Sequence, residues 1–282
     1  MTLAVQQIIS QANQDNSKKE AQAFRDYTAE NELHDRVYKT YNDMHTNQTY
    51  DYVKKQHEKW LNFDHEKLTI MQAIDLLSDF VDESDPDVDF ANRYHAYQTA
   101  EGVRKVHPDK EWLIFTAFIH DLGKMMGMKG QPQWSTVGDT FVVGCKPAKS
   151  IVFSETTFLN NPDTKNPKYN TELGIYTRNC GLNKLTMSWG HDEYLYQVLK
   201  HNNCKIPIEG LYAIRFHSFY PWHTGNDYTY FEDQQDREMK KWVLEFNKFD
   251  LYTKSVDLPD IDKLRPYYES LAQKFMPGVL DW

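Results

Sequence analysis

The stretch WLIFTAFIHDLGK, Trp112 to Lys124, is apolar on almost every side until it reaches His120 and Asp121. Such a segment is expected to form a helix that is buried all round. Burying an imidazole beside a carboxylate costs on the order of several kcal/mol unless a partner compensates both groups. A bound metal ion is the simplest such partner, so this stretch predicts a buried metal centre in a helical protein.

Four other segments each place a ligand-type side chain among apolar residues. They are His95 in FANRYHAYQTAEGVRK, His191 in WGHDEYLYQVLK, His217 in GLYAIRFHSF, and Asp250 in the helix that contains Met239, Trp242, Val243 and Phe246. Helical spacing puts each of them on the apolar face of its segment. One core histidine is more often simply hydrogen-bonded, because histidine is intermediate in burial. The pattern on five segments together is what predicts a shared centre.

Composition limits the possible partners and the compartment. The chain has 282 residues, 40% of them apolar, and a formal net charge of −9, which argues against nucleic acid or an anionic membrane as the main partner. The apolar run from Trp112 to Ile119 is far shorter than the ~20 residues that span a bilayer. The N-terminal sequence lacks a secretory pattern, and the three widely spaced cysteines, Cys145, Cys180 and Cys204, indicate a reducing compartment. We therefore predict a cytoplasmic protein.

The pattern along the chain predicts one domain. Residues 1–20 are rich in Gln, Asn, Ser and Lys and are expected to form a flexible tail, and residues 21–282 a single domain. Residues 34–60 read as one long helix and residues 68–81 as another. Between Met128 and Asn183 the helical period is lost, and STVGDTFVVG is typical of a short strand or an ordered loop. The predicted fold is all-α, a helical bundle with a long ordered loop insertion.

Several other polar residues are expected to have no chemical role. Asp192 forms a second His-Asp pair with His191, but it lies about 100° from the apolar stripe and is predicted to be a supporting or surface group. His223 is predicted to be structural. The remaining histidines lie among polar neighbours and are predicted to be solvated: His34, His45, His57, His65, His107 and His201.

The order His…His-Asp…Asp on buried helices resembles the HD-domain superfamily of metal-dependent phosphohydrolases. Here the four residues are His95, His120, Asp121 and Asp250. The two further histidines are enough for a second metal ion that shares one carboxylate, for which Asp121 is the best candidate. Four imidazoles and two carboxylates suit iron, manganese or zinc better than magnesium or calcium.

Over residues 24–282 the chain closely resembles the myo-inositol oxygenase family. The resemblance rests on the segments DESDPDVDF, QTAEGVRKVHPDKEW, HDLGK, PQWSTVGDTF, TELGIY, MSWGHDEY, RFHSFYPWHTG, EFNKFDLYTK and DKLRPYY. It implies an HD-domain-like helical fold that holds two iron ions, mixed-valent Fe(II)/Fe(III) in the active form. It also implies that myo-inositol and O2 are converted to D-glucuronate.

The same resemblance assigns roles to individual residues. His95, His120, Asp121 and Asp250 are implied to bind one iron, His191 and His217 the other, with Asp121 as the bridge. The implied substrate contacts are Arg25, Asp82, Glu83, Ser84, Lys124, Gly138, Asp139, His217 and Ser218. Lys124 lies one helical turn after His120-Asp121, where its ammonium can stabilise a substrate alkoxide. Lys124 and Asp121 are therefore the expected catalytic residues.

Two other classes of function stay open at this point. An HD-type phosphohydrolase would need several cations around a phosphate, and only Arg25 and Lys124 are obvious candidates. A metal-holding scaffold without turnover has no use for the acidic turn at residues 82–87. We expect a monomer that binds a small polyol and O2, with no nucleic acid, membrane, nicotinamide or flavin.

Overall fold

Helices dominate the part of the chain that the computed structural model describes, which is residue 27 and residues 33–86, 91–252 and 258–282. The α-helices are α1 (His34–Asn47), α2 (Tyr50–Trp60), α3 (Ile70–Leu76), α4 (Asn92–Val106), α5 (Glu111–Ile119), α6 (Met125–Met128), α7 (Ser154–Thr157), α8 (His191–His201), α9 (Ile208–Phe216), α10 (Tyr220–His223), α11 (Gln234–Tyr252) and α12 (Ile261–Phe275). The all-α prediction is confirmed. Residues 1–20 and Arg25 lie outside the described residues, and the single domain over 21–282 stays a prediction.

Helix α5 forms the centre of the bundle. All of its residues from Leu113 to Ile119 are buried, and α4, α9, α11 and α12 pack around it. The helix ends at Ile119, so His120 and Asp121 lie in a turn before a 3-10 segment, Leu122–Lys124. A helix that is apolar all round thus delivers one imidazole and one carboxylate to the interior.

Gly123 allows a second element to reach that turn. A Cβ atom added at Gly123 would lie 2.1 Å from the backbone carbonyl oxygen of His191, the first residue of α8. No side chain fits in that space, so only glycine permits this approach of the two backbones. The glycine of HDLGK therefore brings His191 close to His120 and Asp121.

The structure has two helices where the sequence predicted one over residues 34–60, because the helix is interrupted at Gln48 and Thr49. Thr49 is extended, with φ −98° and ψ 162°, and its side chain accepts a hydrogen bond from the backbone N–H of Tyr52, so it caps α2. The buried amide of Gln48 bonds both the N–H and the carbonyl of Trp189, at 3.0 and 2.6 Å. These tertiary bonds favour the break over a continuous helix.

The prediction of one helix over 68–81 is also only partly right. Helix α3 covers Ile70–Leu76 and is followed by a 3-10 turn, Leu77–Asp79. A reciprocal pair of side-chain bonds between Thr69 and Gln72 caps its first turn, which fixes the start of the helix two residues later than predicted.

Residues 129–190 form the long insertion, and little of it is helical. Strand β2 (Val142–Val143) lies within the predicted STVGDTFVVG segment and pairs antiparallel with β3 (Thr186–Met187). A second small sheet pairs β1 (Lys67–Leu68) with β4 (Leu280–Asp281) near the C-terminus. The segment just before β2 is buried against the bundle and carries Gly138 and Asp139 to the candidate site.

Two features of the structure bear on the environment of the protein. Cys145, Cys180 and Cys204 are all free thiols, as their spacing predicted. Within the described ranges, no helix is both long enough and apolar enough to cross a membrane. The cytoplasmic location itself stays a prediction.

His45 is buried, and the prediction that it is solvated is wrong. Its ring stacks on Phe158 at a centroid distance of 4.2 Å, and its Nδ1 lies 2.7 Å from the Thr157 hydroxyl oxygen. That hydroxyl donates to the carbonyl of Phe153, so His45 Nδ1–H must be the donor in the contact between them. Burial lowers the pKa of His45 to about 3, so the ring is neutral in the folded protein.

We expect His45 to make the protein sensitive to mild acid. The pKa falls from 6.5 in the unfolded chain to about 3 in the folded one. The stabilisation by the neutral ring is therefore fully present above pH 6.5 and is lost as the pH falls from there toward 3. At about pH 4.5 the loss is roughly 3 kcal/mol. The check is urea denaturation of His45→Asn at several pH values, because asparagine keeps a donor for Thr157 but does not titrate.

The matched control is His34→Asn, in the first turn of the same helix, where the side chain is about one third exposed. His45→Asn is expected to be less stable than the unsubstituted protein at pH 7, since it loses the ring. Its free energy of unfolding should, however, decrease less as the pH falls below 6.5. His34→Asn should show the same decrease as the unsubstituted protein. Parallel stability curves for all three proteins would contradict the assignment of this pH dependence to His45.

Candidate metal centre

The structure brings all six predicted ligand side chains together in the interior. His95 lies on α4, His120 and Asp121 in the turn after α5, His191 at the start of α8, His217 directly after α9, and Asp250 near the end of α11. Each of the six is at least 91% buried. Five separate segments therefore end at one buried polar cluster.

Four of the six side chains form a first group. Asp250 Oδ1 lies 2.8 Å from His95 Nε2 and 3.2 Å from His120 Nε2. Asp121 Oδ2 lies 3.4 Å from His120 Nε2 and 3.9 Å from His95 Nε2. Donor atoms on neighbouring positions around one ion are about 3 Å apart when each bond is about 2.1 Å, so this group fits a single ion.

The other oxygen of Asp121 faces a second group. Asp121 Oδ1 lies 3.4 Å from His191 Nε2 and 3.8 Å from His217 Nε2, and these two nitrogens are 3.2 Å apart. The two oxygens of one carboxylate therefore point at two different sets of imidazoles. This is the arrangement of a carboxylate that can bridge two metal ions.

The protonation of the imidazoles also fits a metal. The Nδ1 atoms of His120, His191 and His217 lie 2.8, 2.9 and 2.9 Å from the backbone carbonyl oxygens of Ala117, Thr136 and Ile214. A carbonyl only accepts, so each Nδ1 carries a proton, and in the neutral form of each ring it is the Nε2 lone pair that faces the cluster. His120 Nε2 is buried without a hydrogen-bond partner. Nitrogen lone pairs that converge without hydrogen-bond donors are unfavourable, and a bound cation would compensate them.

The charges of the cluster favour a cation as well. Burial by itself raises the pKa of Asp121, but the nearby charges of His120 and Lys124 hold it well below its usual range. Burial likewise raises the pKa of Asp250, and its close contacts with the imidazoles of His120 and His95 outweigh that effect. Both carboxylates are therefore anionic at neutral pH, which is the form that binds a metal.

Lys124 lies beside the carboxylate of Asp121. Its Nζ is 2.9 Å from Asp121 Oδ2, 2.8 Å from Asp82 Oδ2 and 3.2 Å from Asn92 Oδ1. An ammonium has three N–H donors, and these three acceptors account for all of them. Burial opposes the charge on Lys124, but Asp121 and Asp82 together keep its pKa above its ordinary value. The side chain therefore places a permanent positive charge next to the cluster.

A pocket opens beside the cluster, and most of the predicted substrate contacts line it. The predicted contacts among its lining residues are Asp82, Ser84, Lys124, Gly138, Asp139, His217 and Ser218. The structure does not bring Glu83 to the pocket wall, and the backbone N–H of that residue donates to the Gln133 side chain at 3.4 Å. Arg25 lies outside the described residues.

Asn92 is a site residue that the sequence interpretation missed. Its Nδ2 donates to Asp121 Oδ2 at 2.7 Å, and its Oδ1 accepts from Lys124. The amide thus fixes the orientation of the Asp121 carboxylate and holds the ammonium beside it. A signal was present, because Asn92 precedes His95 by three residues and so shares its buried helix face.

Asp192 is buried, which excludes the surface position that was one of its two predicted alternatives. Its Oδ1 lies 2.7 Å from His191 Nε2, and its Oδ2 accepts hydrogen bonds from the Thr140 hydroxyl and the Ser218 backbone N–H, at 3.1 and 3.2 Å. Asp192 therefore supports the second group of donors and the adjoining pocket wall.

The comparison with known proteins agrees with this geometry. The family model described as Myo-inositol oxygenase matches residues 34–282, which include all six donor positions. The chain is 57% identical to an inositol oxygenase of Homo sapiens over 264 residues, 94% of this chain and 92% of that protein. It is 57% identical to one of Danio rerio over 265 residues (94% and 95%) and 49% identical to one of Dictyostelium discoideum over 270 residues (94% and 91%). The chain belongs to the myo-inositol oxygenase family.

Proposed function

We propose that this enzyme cleaves the ring of myo-inositol with O2 to give D-glucuronate, and that it does so with two iron ions. The observation that carries the proposal is the carboxylate of Asp121, whose two oxygens face two separate groups of donors. His95, His120, Asp121 and Asp250 would hold one ion, and His191, His217 and Asp121 the other. The names of the relatives and the family match supply the substrate and the reaction class.

The protein needs the metals because its side chains cannot carry out a four-electron oxidation. When bound, the iron ions supply the redox chemistry and Lewis-acid activation of substrate hydroxyls. The imidazoles and carboxylates of the cluster hold the ions, and the buried position of the cluster limits access of bulk water.

Lys124 is proposed to stabilise the substrate oxygen that loses its proton. All three N–H donors of Lys124 have partners, so a substrate oxygen must take the place of one of them. Asp82 is the most accessible of these partners and lines the pocket. We propose that the substrate replaces Asp82 at the ammonium, and that Asp82 Oδ2 then accepts from a ring hydroxyl while Oδ1 keeps its bonds to Ser84.

The other pocket residues are proposed to orient the ring. Ser84, Asp139 and Ser218 present oxygen atoms to the hydroxyls of a polyol. Gly138 lines the pocket with φ +92°, a backbone conformation that glycine adopts without strain. Arg25 and Glu83 stay proposed contacts on the resemblance alone.

The pocket argues against the phosphohydrolase alternative. Among the described residues that line it, Lys124 is the only lysine or arginine, and two carboxylates already balance its charge. A phosphate ester would also lie beside Asp82, a carboxylate that holds no metal in this proposal and that would repel it. A neutral polyol has no such repulsion to overcome. A pocket of polar side chains beside the cluster also favours an enzyme over a metal-holding scaffold.

We further propose that the enzyme works as a monomer in the cytoplasm. One chain supplies all six donors, and the described lining of the pocket comes from that same chain. The site therefore has no need of a second copy, and light scattering of the purified protein measures the oligomeric state directly.

The first test counts the metal ions. Protein produced with iron is expected to hold two ions per chain by elemental analysis. His191→Ala should lose the ion of the second group and keep the first, whereas Asp121→Ala should weaken both, because both groups use that carboxylate. Asp121→Ala protein that keeps two tightly bound ions would remove Asp121 as the bridge.

The second test follows the reaction. Protein loaded with iron under anaerobic conditions is mixed with myo-inositol, O2 is added, and uronate and O2 consumption are measured. We expect one O2 consumed per uronate formed, with no added nicotinamide or flavin. Equal turnover without O2, or hydrolysis of phosphate monoesters with no uronate formed, would favour the hydrolase.

The third test separates Lys124 from metal binding. Lys124→Met keeps the length of the stem but removes the charge, and we expect it to lower turnover by roughly 10²-fold or more. Iron content should stay near two ions per chain, because a protonated ammonium is no ligand. The control is Lys129→Met, which removes a partly exposed lysine that pairs with Glu66. Loss of iron from Lys124→Met, or normal turnover, would contradict the proposed role.

A further inference from the structure

The carboxylate of Asp192 accepts three hydrogen bonds, two from Ser218 and one from Thr140. Its Oδ2 accepts from the backbone N–H of Ser218 at 3.2 Å and from the Thr140 hydroxyl at 3.1 Å, and its Oδ1 accepts from the Ser218 hydroxyl at 3.2 Å. The backbone N–H of Thr140 in turn donates to the Ser218 carbonyl at 2.9 Å. These bonds tie the start of α8, the end of α9 and the inserted loop together behind one wall of the pocket.

This arrangement determines which way the Ser218 hydroxyl points. The backbone N–H of Ser218 can only donate, and it shares Asp192 Oδ2 with the Thr140 hydroxyl, while the Ser218 hydroxyl donates to Oδ1. Asp192 therefore acts as an acceptor at both of its oxygens. A hydroxyl has only one hydrogen, and Ser218 directs it at Asp192. What Ser218 offers to the pocket is therefore a lone pair.

Ser84 shows the same arrangement on a different element. Its hydroxyl donates to Asp82 Oδ1 at 2.6 Å, and its backbone N–H donates to the same oxygen at 2.8 Å. Ser84 also lines the pocket. Two serines from separate parts of the chain thus turn their hydrogens away, toward buried carboxylates, and their lone pairs remain for a ligand.

We propose that Asp192 is a positioning residue that commits the Ser218 hydroxyl to act as a hydrogen-bond acceptor, so that this wall recognises a ring hydroxyl of the substrate as a donor. This inference rests on the proposed function, and it specifies the ligand chemistry of the site. A ring substituent that cannot donate, such as fluorine, an ether or a ketone, is discriminated against at this position. The penalty arises because the Ser218 lone pair then has no donor.

The first experiment is a double-mutant cycle on ligand binding. Asp192→Asn, Ser218→Ala and the double variant are loaded with iron, kept anaerobic, and titrated with myo-inositol by calorimetry. The amide of Asp192→Asn can donate to Ser218 and so reverses the hydroxyl. We expect each single change to raise Kd by about tenfold and the double variant to bind like Ser218→Ala, since Asp192 acts through Ser218.

Iron content and a control variant separate positioning from other roles. Iron should be unchanged in Asp192→Asn. Loss of an ion would overturn the proposal and make Asp192 a metal ligand, which its position 2.7 Å from His191 Nε2 offers as the competing role. The control, Glu193→Gln, changes the next buried carboxylate of α8, which bonds Arg215 rather than Ser218. An equal rise of Kd in Glu193→Gln, or additive effects in the cycle, would also overturn the proposal.

The second experiment does not depend on whether Asp192→Asn folds. It compares the unsubstituted protein with Ser218→Ala, using monofluoro-deoxy inositols in which one hydroxyl at a time is replaced. One member of the series is expected to bind the unsubstituted protein at least about tenfold more weakly than myo-inositol, yet to show no such penalty with Ser218→Ala. If no fluorinated analogue shows this difference between the two proteins, the acceptor role of Ser218 is contradicted. Failure of myo-inositol itself to bind would instead contradict the proposed function.

Discussion

The carboxylate of Asp121 faces imidazoles with both of its oxygens and lies in the interior of the helical bundle. Oδ2 is directed at His95 and His120, and Oδ1 at His191 and His217. A buried carboxylate needs compensation at each oxygen, and a cation held between Asp121 and the imidazoles of four segments would supply it. Each of the four segments brings a nitrogen within about 4 Å of this one side chain. The end of α5, Gly123 and the start of α8 meet at this point in the fold.

The outer bonds of the imidazoles make this arrangement specific for a cation. Because backbone carbonyls accept hydrogen bonds from Nδ1 of His120, His191 and His217, each ring in its neutral form offers only the Nε2 lone pair to the interior. Acidic oxygens lie close to two of the imidazole nitrogens, 2.8 Å between Asp250 Oδ1 and His95 Nε2 and 2.7 Å between Asp192 Oδ1 and His191 Nε2. A metal ion would bind only unprotonated nitrogens, so its binding and the stability it confers would depend on pH.

The sequence predicted the residues whose placement follows from helical spacing. His95, His191, His217 and Asp250 could be assigned to buried faces because their neighbours are apolar and periodic. The sequence did not predict features that depend on contacts between distant segments. Gln48 breaks a helix by bonding Trp189, which is 141 residues away. His45 has polar neighbours in sequence but aromatic neighbours in space. Such contacts between distant segments override the local sequence pattern, and a single sequence does not reveal them.

A neutral polyol sets a particular problem of recognition, because it has no charge by which it could be attracted. Its hydroxyls can donate or accept, so a site gains selectivity only if its own groups have fixed polarity. In this pocket the fixed polarity comes from buried charges: Asp192 and Asp82 orient Ser218 and Ser84, and Lys124 contributes donors only. Asp82 both pairs with Lys124 and orients Ser84, and Asp192, which orients Ser218, lies beside His191. Because the charged cluster and the pocket for an uncharged ligand share these carboxylates, they occupy one place in the fold.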